Sequence, residues 1–228
     1  MREIGAEAAA RLLRAAFRLL TEPGAERPGL AAIAGAAGVA PALAVHWYED
    51  VETLGRLAAT ASIRTLAAPF AAPPPALPLR ASVRRHALAC AALFGSDDYR
   101  RLVTLVMREG PGWPWLAALH ERGIAEPARE RLARIVRQAG IRGGGRLEIR
   151  SSGTRAFVER LQAEFALRPL LPPRRAPARR EARLLVERSV DEALAAIYSP
   201  QSVALALGAM MPAGIRPRDG LSRGAAHG

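Results

Sequence analysis

The sequence is poor in several residue types, and each shortage excludes a class of protein. All 33 basic side chains of the 228-residue chain are arginine, because lysine is missing altogether, as is asparagine. A GC-rich genome favours arginine over lysine, so the number of arginines does not by itself indicate nucleic-acid binding, and their placement has to decide. The only cysteine, Cys90, excludes an internal disulfide and a cysteine-based zinc site.

The chain also lacks a long apolar run. Its longest uncharged stretch, residues 28–45, is rich in alanine, is interrupted by glycine and proline, and is too short and too weakly apolar to span a bilayer. The N-terminus carries charged side chains and no apolar signal-peptide core. With 50% hydrophobic and 24% charged residues, we expect a folded, soluble, cytoplasmic protein with no membrane partner.

Apolar side chains recur at helical spacing along the chain, and no stretch shows the sustained alternation that is typical of strands. Only residues 146–150 suit an isolated strand. The expected breaks are rich in glycine or proline; among them are Gly123 and residues 69–78, where five prolines predict a boundary near residue 70. The predicted class is all-α, with helices over residues 4–20, 30–37, 41–48, 50–66, 79–94, 98–109, 115–122, 127–139, 152–167 and 178–198, and a short helical piece over 200–211.

Two of the short predicted helices, over residues 30–37 and 41–48, are separated by a tight turn. Glycine stands at position 38, where the chain must reverse. This spacing predicts a helix-turn-helix, whose second helix is able to lie in the major groove of DNA. Asp50 is predicted to cap the next helix by accepting a hydrogen bond from the backbone amide of residue 52 or 53.

In these elements the sequence resembles the N-terminal domain of TetR-family transcriptional regulators. The matching positions follow in order and without a gap over about 45 residues: Leu12-Leu13, Ala16, Leu19-Leu20, Gly24, Leu30, Ile33-Ala34, Ala37-Gly38-Val39, Trp47-Tyr48, Glu52 and Leu54. Further on, Glu109, Trp113-Pro114 and Leu116 resemble a pattern found in some ligand-binding domains of that family. The resemblance implies a three-helix DNA-binding head (residues 1–68) joined through a fourth helix to an all-helical ligand-binding and dimerisation domain (residues 79–200), followed by a flexible tail (residues 212–228).

The resemblance also implies a homodimeric repressor that binds a double-stranded DNA operator and is released by a small-molecule effector. The predicted DNA-binding residues are Arg27, Leu30, Pro41, Ala42, Leu43, His46 and Trp47. A concentration of aromatic and polar side chains predicts a ligand pocket lined by Phe94, Tyr99, Met107, Glu109, Trp113, Trp115 and His120. Two apolar stripes, on helices that pair with their twofold mates in the family, predict a dimer interface of Phe157, Leu161, Phe165, Val186, Val190, Leu194 and Ile197.

An alternative function follows from the charge of the head. Residues 1–70 hold seven arginines and seven acidic residues, so the whole formal charge of +12 lies in residues 71–228. Ala40, Val45 and Val51 stand where the family has a cap or a phosphate-contacting side chain. The alternative is therefore a TetR-like dimeric ligand-binding or interaction protein with a degenerate head that binds DNA weakly or not at all.

Other signals in the sequence are weaker. We found no catalytic triad, HExxH, phosphate-loop or dinucleotide-binding pattern, so we expect neither an enzyme nor a cofactor. His86 and Cys90 have the spacing of two metal ligands, but no second pair accompanies them, which favours a buried cysteine beside a histidine and no metal. The arginine- and proline-rich residues 169–180 suit either a polybasic arm or a solvated loop, the latter with Arg183 and Glu187 paired on the next helix.

Overall fold

The computed structural model describes residues 2–22, 26–73, 76–144, 147–171 and 176–198, and these residues form helices with no strand among them. Two π-helical segments, Glu121–Ala125 and Ala163–Leu167, and one 3-10 turn, Arg168–Leu170, continue the α-helices. The predicted all-α class is confirmed. The α-helices are α1 (Arg2–Leu20), α2 (Leu30–Ala37), α3 (Pro41–Trp47), α4 (Val51–Ala71), α5 (Leu79–Phe94), α6 (Asp97–Glu109), α7 (Pro114–His120), α8 (Glu126–Arg142), α9 (Ser151–Gln162) and α10 (Arg179–Ile197).

The first four helices form the head, and the later ones form a helical body. In the head, α1 packs against α2 and α4, and α2 packs against α3. In the body, α10 packs against α5 and α9, while α8 lies against α4, α5 and α9. One cluster of buried apolar side chains runs through both parts, because α4 contributes to each of them. The predicted division into residues 1–68 and 79–200 stays a prediction.

The fourth helix runs further than its prolines predict. We expected it to stop before Pro69, but α4 includes Pro69 and ends at Ala71. Proline in the last turn removes only one helical hydrogen bond, and Phe70 beyond it is fully buried. The carbonyl oxygens of Phe70 and Ala72 accept hydrogen bonds from the Arg131 guanidinium of α8, which satisfies carbonyls that the helix end leaves free.

The predicted break at Gly123 is wrong. Residues 114–142 continue from α7 through the π-helical segment into α8, with Gly123 inside that segment. A Cβ atom at Gly123 would lie only 2.2 Å from Cγ2 of Ile63 in α4. The glycine therefore permits a close approach of two helices, which a sequence pattern does not distinguish from a turn.

Two further predictions fall partly outside the described residues. Of the predicted strand, residues 147–150 are described and form no strand. The short helix over 200–211, the tail over 212–228, and Arg174 and Arg175 of the proline-rich segment lie outside the residues that the structure describes.

Candidate nucleic-acid interface

The segment from α2 to α3 has helix-turn-helix geometry. Three residues, Gly38 to Ala40, join the two helices, whose axes make an angle of 120°. Gly38 has a φ of +62°, the left-handed conformation that glycine adopts without strain, and the amide of Val39 donates to the carbonyl of Ala34 at 3.0 Å. Buried Ile33 and Ala44 join the facing sides of the two helices to the core, so the pair is fixed as a unit.

The third helix presents most of its surface to solvent. Ala44 is its buried residue, and the side chain of Val45 is 62% exposed. The structure thus brings five of the predicted DNA-binding residues onto one exposed helix, and places Leu30, half-buried, at the first position of α2. The five are Pro41, Ala42, Leu43, His46 and Trp47. His46 is the one of them with a hydrogen-bonding side chain, apart from the indole N–H of Trp47.

The starts of α2, α3 and α4 differ in how they are capped. Asp50 accepts a hydrogen bond from the Thr53 amide at 2.6 Å and so caps α4, as predicted, and this bond lowers the pKa of the Asp50 carboxyl. Gly29 before α2 and Ala40 before α3 give no side-chain cap. The first backbone amides of α2 are consequently left for water or for an anion.

Arg27, the seventh predicted DNA-binding residue, is held by the body. Its guanidinium makes an ion pair with the buried carboxylate of Glu109 at the end of α6, and it lies 4.7 Å from the ring centre of Trp113. Glu109 also accepts from Nε of Arg108 at 2.9 Å. Burial alone would raise the pKa of Glu109, but the hydrogen bonds and charges of Arg27 and Arg108 outweigh it, so the pKa is lowered and the carboxylate is ionised.

Further contacts around this ion pair join the body to α1 and α4. Arg108 donates to the carbonyl oxygens of Leu20 and Glu22 at the end of α1, the latter at 3.0 Å. Nε1 of Trp115 donates to the Glu52 carboxylate of α4 at 2.7 Å. We call Arg27, Glu52, Arg108, Glu109, Trp113 and Trp115 the head–body junction.

The predicted ligand-pocket residues fall into separate places. Phe94, Tyr99 and His120 lie together, with the Tyr99 hydroxyl 2.8 Å from Nε2 of His120 and the Phe94 and Tyr99 ring centres 5.0 Å apart. Glu109, Trp113 and Trp115 belong to the head–body junction instead. Met107 is 65% exposed. A pocket that all seven residues share stays a prediction.

The predicted dimer-interface residues pack inside the chain. Six of the seven are buried within the single chain, and Leu194 is half-buried and packs against the same core. The two stripes join α9 and α10 to the rest of the body, and Phe165 and Val186 also line a groove at the surface between α5 and α10, so the predicted interface stays a prediction. The buried six are Phe157, Leu161, Phe165, Val186, Val190 and Ile197.

One candidate feature of the head was missed at the level of sequence. Arg11, Arg14 and Arg18 project from one face of α1 and line a groove of about 220 Å³ together with Ala36 and Ala37 at the end of α2. Glu7 lies 3.8 Å from Arg11, and among the described residues no carboxylate is within ion-pair distance of Arg14 or Arg18. Residues three and four positions apart share one face of a helix, so the sequence could have indicated that these arginines lie together. The net charge of the head does not show this grouping, because it counts every charge regardless of position.

His86 and Cys90 are core residues, as expected. The Nε2 atom of His86 lies 2.9 Å from the carbonyl oxygen of Ala128, and the ring stacks on Phe157. Burial, and then the charges of Arg131 and Arg134, lower the pKa of His86 to about 4. In the part of the chain that the structure describes, no group of three or more histidine, cysteine or acidic side chains is placed to hold a metal ion.

No single helix in the described ranges has the length and apolarity to cross a membrane; the bent pair α2 and α3 meets that test only by length and composition.

The predicted Arg183–Glu187 pair does not form. Glu187 is instead 2.5 Å from Nε of Arg84 and 3.6 Å from Arg80, and these contacts tie α10 to α5. Arg179 and Arg180 lie in the exposed first turn of α10.

Comparison with solved structures identifies the fold. A proposed TetR-family transcriptional regulator from Mesorhizobium loti MAFF303099 is similar with a TM-score of 0.69 and 15% identity, over 83% of this chain and 96% of that chain. The proposed transcriptional regulator SCO7518 from Streptomyces coelicolor A3(2) gives a TM-score of 0.58 and 20% identity, over 82% of this chain and 98% of that chain. The flavonoid-responsive regulator FrrA gives a TM-score of 0.61 and 24% identity, over 82% of this chain and 93% of that chain.

No family model matches this sequence, and no curated protein sequence matches it. At identities below 25%, the structural likeness establishes the fold: the chain has the architecture of TetR-family regulators over more than four fifths of its length. The resemblance noted in the sequence is confirmed at that level.

Proposed function

We propose that this protein is a DNA-binding transcriptional regulator of the TetR type, a cytoplasmic homodimeric repressor that is released from its operator by a small-molecule effector. The observation that carries the proposal is the helix-turn-helix, in which a three-residue turn holds α3 at 120° to α2 with its outer face exposed. A helix presented in this way fits the major groove, while the helix before it braces against the DNA backbone. Nothing in this arrangement calls for catalysis.

Recognition of bases rests on few side chains. His46 supplies hydrogen-bonding capacity on α3, and Leu43 and Ala42 supply apolar contact to thymine methyl groups. In a dimer the two copies of α3 would enter successive major grooves about 34 Å apart, on a nearly palindromic operator. Arg27 is occupied by Glu109 in the described conformation, so we assign it to the head–body junction and only secondarily to DNA.

The second candidate function is a TetR-like dimeric ligand-binding protein with a degenerate head. The observations that favour it are the apolar outer face of α3, with exposed Leu43, Val45 and Trp47, and the missing side-chain cap at Ala40. Such a surface offers little to phosphate oxygens, which supply much of the affinity of any DNA-binding protein.

A gel-shift experiment separates the two functions. The full chain is titrated against duplex DNA from upstream of its own gene, and against a scrambled duplex, at about 50 mM and about 200 mM salt. The regulator is supported by a specific shift that survives an excess of scrambled duplex; the absence of any specific shift even at low salt would rule it out in favour of the degenerate head.

The role of His46 is tested on the same DNA. Replacing it (His46→Ala) is expected to reduce discrimination between operator and scrambled duplex about tenfold, because the base-reading hydrogen bond is lost. Arg155→Gln, at an exposed position of α9, serves as the control and should leave discrimination unchanged. An unaltered preference in the His46 variant would refute this assignment.

For the homodimer, we propose a face built from exposed apolar side chains of α5, of the π-helical and 3-10 segments that follow α9 with the residue directly after them, and of α10 with the residue directly after it. Because α5 packs against both α10 and the π-helical segment, these side chains lie on neighbouring elements, and exposed apolar area of this kind is typical of an interface. They are Leu88, Leu167, Leu170, Leu171, Leu184 and Tyr198.

Light scattering on the purified chain measures the association. We expect a mass of twice the 24.3 kDa chain for the unmodified protein, and a shift toward the monomer for Leu184→Asp, because the carboxylate would be buried in an apolar interface. Ile141→Asp is a matched control, since Ile141 is similarly exposed and lies outside the proposed face. Equal masses for the two variants would show that this face is not the interface.

A further inference from the structure

Three arginines meet at the C-terminal end of α4. Arg131 of α8 is only 9% exposed and donates through Nη1 to the carbonyl oxygens of Phe70 and Ala72, the former at 3.1 Å. Arg134, one turn further along α8, donates to the same Phe70 carbonyl at 3.2 Å. Arg85 of α5 lies on the rim of the same region. Burial, and then the charge of Arg134, lower the pKa of Arg131, and the charge of Arg85 acts in the same direction.

No carboxylate balances these charges. Among the residues that the structure describes, none of the three guanidinium groups has an acidic side chain within ion-pair distance, and Nε of Arg134 is buried without a hydrogen-bond partner. Arg85 is exposed and Arg134 is half-buried, so water solvates part of this charge, whereas the guanidinium of Arg131 is buried and meets only the partial negative charge at the end of α4. The buried charge of Arg131 is therefore the one that an anion in this region would neutralise.

A cavity of about 340 Å³ adjoins this cluster. It is lined by the polar side chains of Arg85, His86, Arg131 and Ser82 and by apolar groups that include Ala89 and Ile135. Because Arg131 uses only Nη1 for the two carbonyls, its Nη2 and Nε remain as the paired donors that a carboxylate accepts side by side. The volume lies at the lower end of the range for sites that bind small molecules.

We propose that this cavity binds a small monocarboxylate with an apolar body. The carboxylate is held by Arg131 and Arg85, and the apolar part lies against Ala89 and Ile135. If the proposed function holds, this ligand is the effector: α4 begins beside the helix-turn-helix and ends in the cavity wall, so a ligand that recruits Arg131 acts directly on the end of the helix that joins head and body.

Calorimetric titration of the full-length protein tests the site without DNA. The probes are benzoate and octanoate, their neutral counterparts benzamide and octanamide, and inorganic phosphate as an anion with no apolar body. We expect saturable binding of at least one carboxylate to one site per chain, with its neutral counterpart weaker by about tenfold or more. Equal affinity for acid and amide, or binding of phosphate alone, would overturn the proposal.

Two variants locate the binding. Arg85→Gln, at an exposed residue, is expected to weaken carboxylate binding about tenfold, and Arg131→Lys to weaken it similarly, because an ammonium group lacks the paired donors. The control is Arg137→Gln, an exposed arginine of α8 that does not line the cavity. If Arg85→Gln binds as tightly as Arg137→Gln, the site lies elsewhere and the proposal fails.

The outcomes distinguish a wrong ligand site from a wrong proposed function. A protein that shifts its operator but binds neither carboxylate contradicts only the ligand site. A protein that binds a carboxylate in this cavity but never shifts specific DNA retains the site and contradicts the regulator. When both hold, the bound carboxylate should change the operator affinity of the unmodified protein and leave that of Arg85→Gln unchanged at the same concentration.

Discussion

Gly123 is a residue whose role, allowing two helical segments to approach closely, is not visible in the sequence around it. A glycine after a short helical pattern predicts a chain break, yet the chain continues here as a helix past Ile63 of α4. By contrast, Gly38 was interpreted correctly, because the turn that it makes is local and its positive φ depends only on near neighbours. A close approach between α4 and the π-helical segment depends on residues 60 positions apart, which no local pattern records.

We expect Gly123→Ala to lower the free energy of unfolding by about 1–3 kcal/mol, because the new methyl group would overlap Cγ2 of buried Ile63. Urea unfolding followed by circular dichroism gives the value. The control is Gly35→Ala in α2, where a Cβ meets no atom within 4 Å; this change should stabilise the protein by about 0.5–1 kcal/mol.

A double-mutant cycle with Ile63→Ala isolates the contact. In the Ile63→Ala background the overlapping methyl is gone, so Gly123→Ala should cost nothing or should stabilise the helix. If the cost of Gly123→Ala is the same in both backgrounds, Ile63 is not the cause, and the close approach of the two elements is not what glycine is needed for.

At the scale of elements, the sequence predicted most helices to within a few residues, because their apolar periodicity and their caps are local. It did not predict which elements touch. Glu109, Trp113 and Trp115 were expected to line a pocket and Arg27 to contact DNA, but the four meet at the head–body junction. The residue types indicate that Glu109 needs a cationic partner once it is buried. Which arginine becomes that partner depends on how α6 packs beside the loop before α2, and the sequence does not show this.

The Glu109 ion pair should make stability depend on pH. Its pKa is lowered in the folded chain, so the pair contributes fully above the ordinary glutamate pKa of about 4.3 and the contribution is lost as pH falls through the lower folded value. Glu109→Gln should cost about 1–3 kcal/mol at neutral pH, because Arg27 and Arg108 lose their carboxylate, and the difference from the unmodified protein should shrink below about pH 4.

Thermal or urea unfolding of both proteins between about pH 3 and pH 7 measures this difference. Glu130→Gln, at an exposed position of α8, is the control and should change stability by less than about 0.5 kcal/mol at every pH. A Glu109→Gln deficit that stays constant down to the lowest pH would show that the side chain acts by packing and not by its charge.

At the scale of the whole molecule, the formal charge of +12 lies in residues 71–228, and the head is neutral by count. The structure nevertheless places the acidic and the basic side chains of the head in different parts of its surface, although their formal charges sum to zero. In the head, Asp50 caps α4 and Glu52 accepts from Trp115, whereas Arg11, Arg14 and Arg18 share one groove on α1. The sequence shows that the net charge of the head is zero, and only the packing of α1 on α2 shows that the head has a cationic face.

This grouping predicts how DNA binding responds to salt. Each arginine that neutralises a phosphate adds about 0.9 to the slope of log affinity against log salt concentration, because it releases condensed counterions. If the α1 groove faces the DNA backbone, replacing Arg14 and Arg18 together by glutamine should reduce the slope by nearly 2 and weaken operator and scrambled duplex alike. Fluorescence anisotropy on a labelled duplex of about 30 base pairs, between about 50 and 200 mM salt, measures it.

The matched control for this pair is Arg155→Gln with Arg137→Gln, which removes the same charge from exposed positions of the body. Long-range attraction between exposed charges is largely screened beyond about 14 Å at 50 mM and about 7 Å at 200 mM salt, so the body pair should leave the slope nearly unchanged. Equal slopes for the two double variants would mean that the groove on α1 lies away from DNA and that the head contacts phosphate through backbone amides alone. A reduced slope confined to the Arg14 and Arg18 variant would establish that a head with no net charge still binds DNA electrostatically, through the arrangement of its arginines.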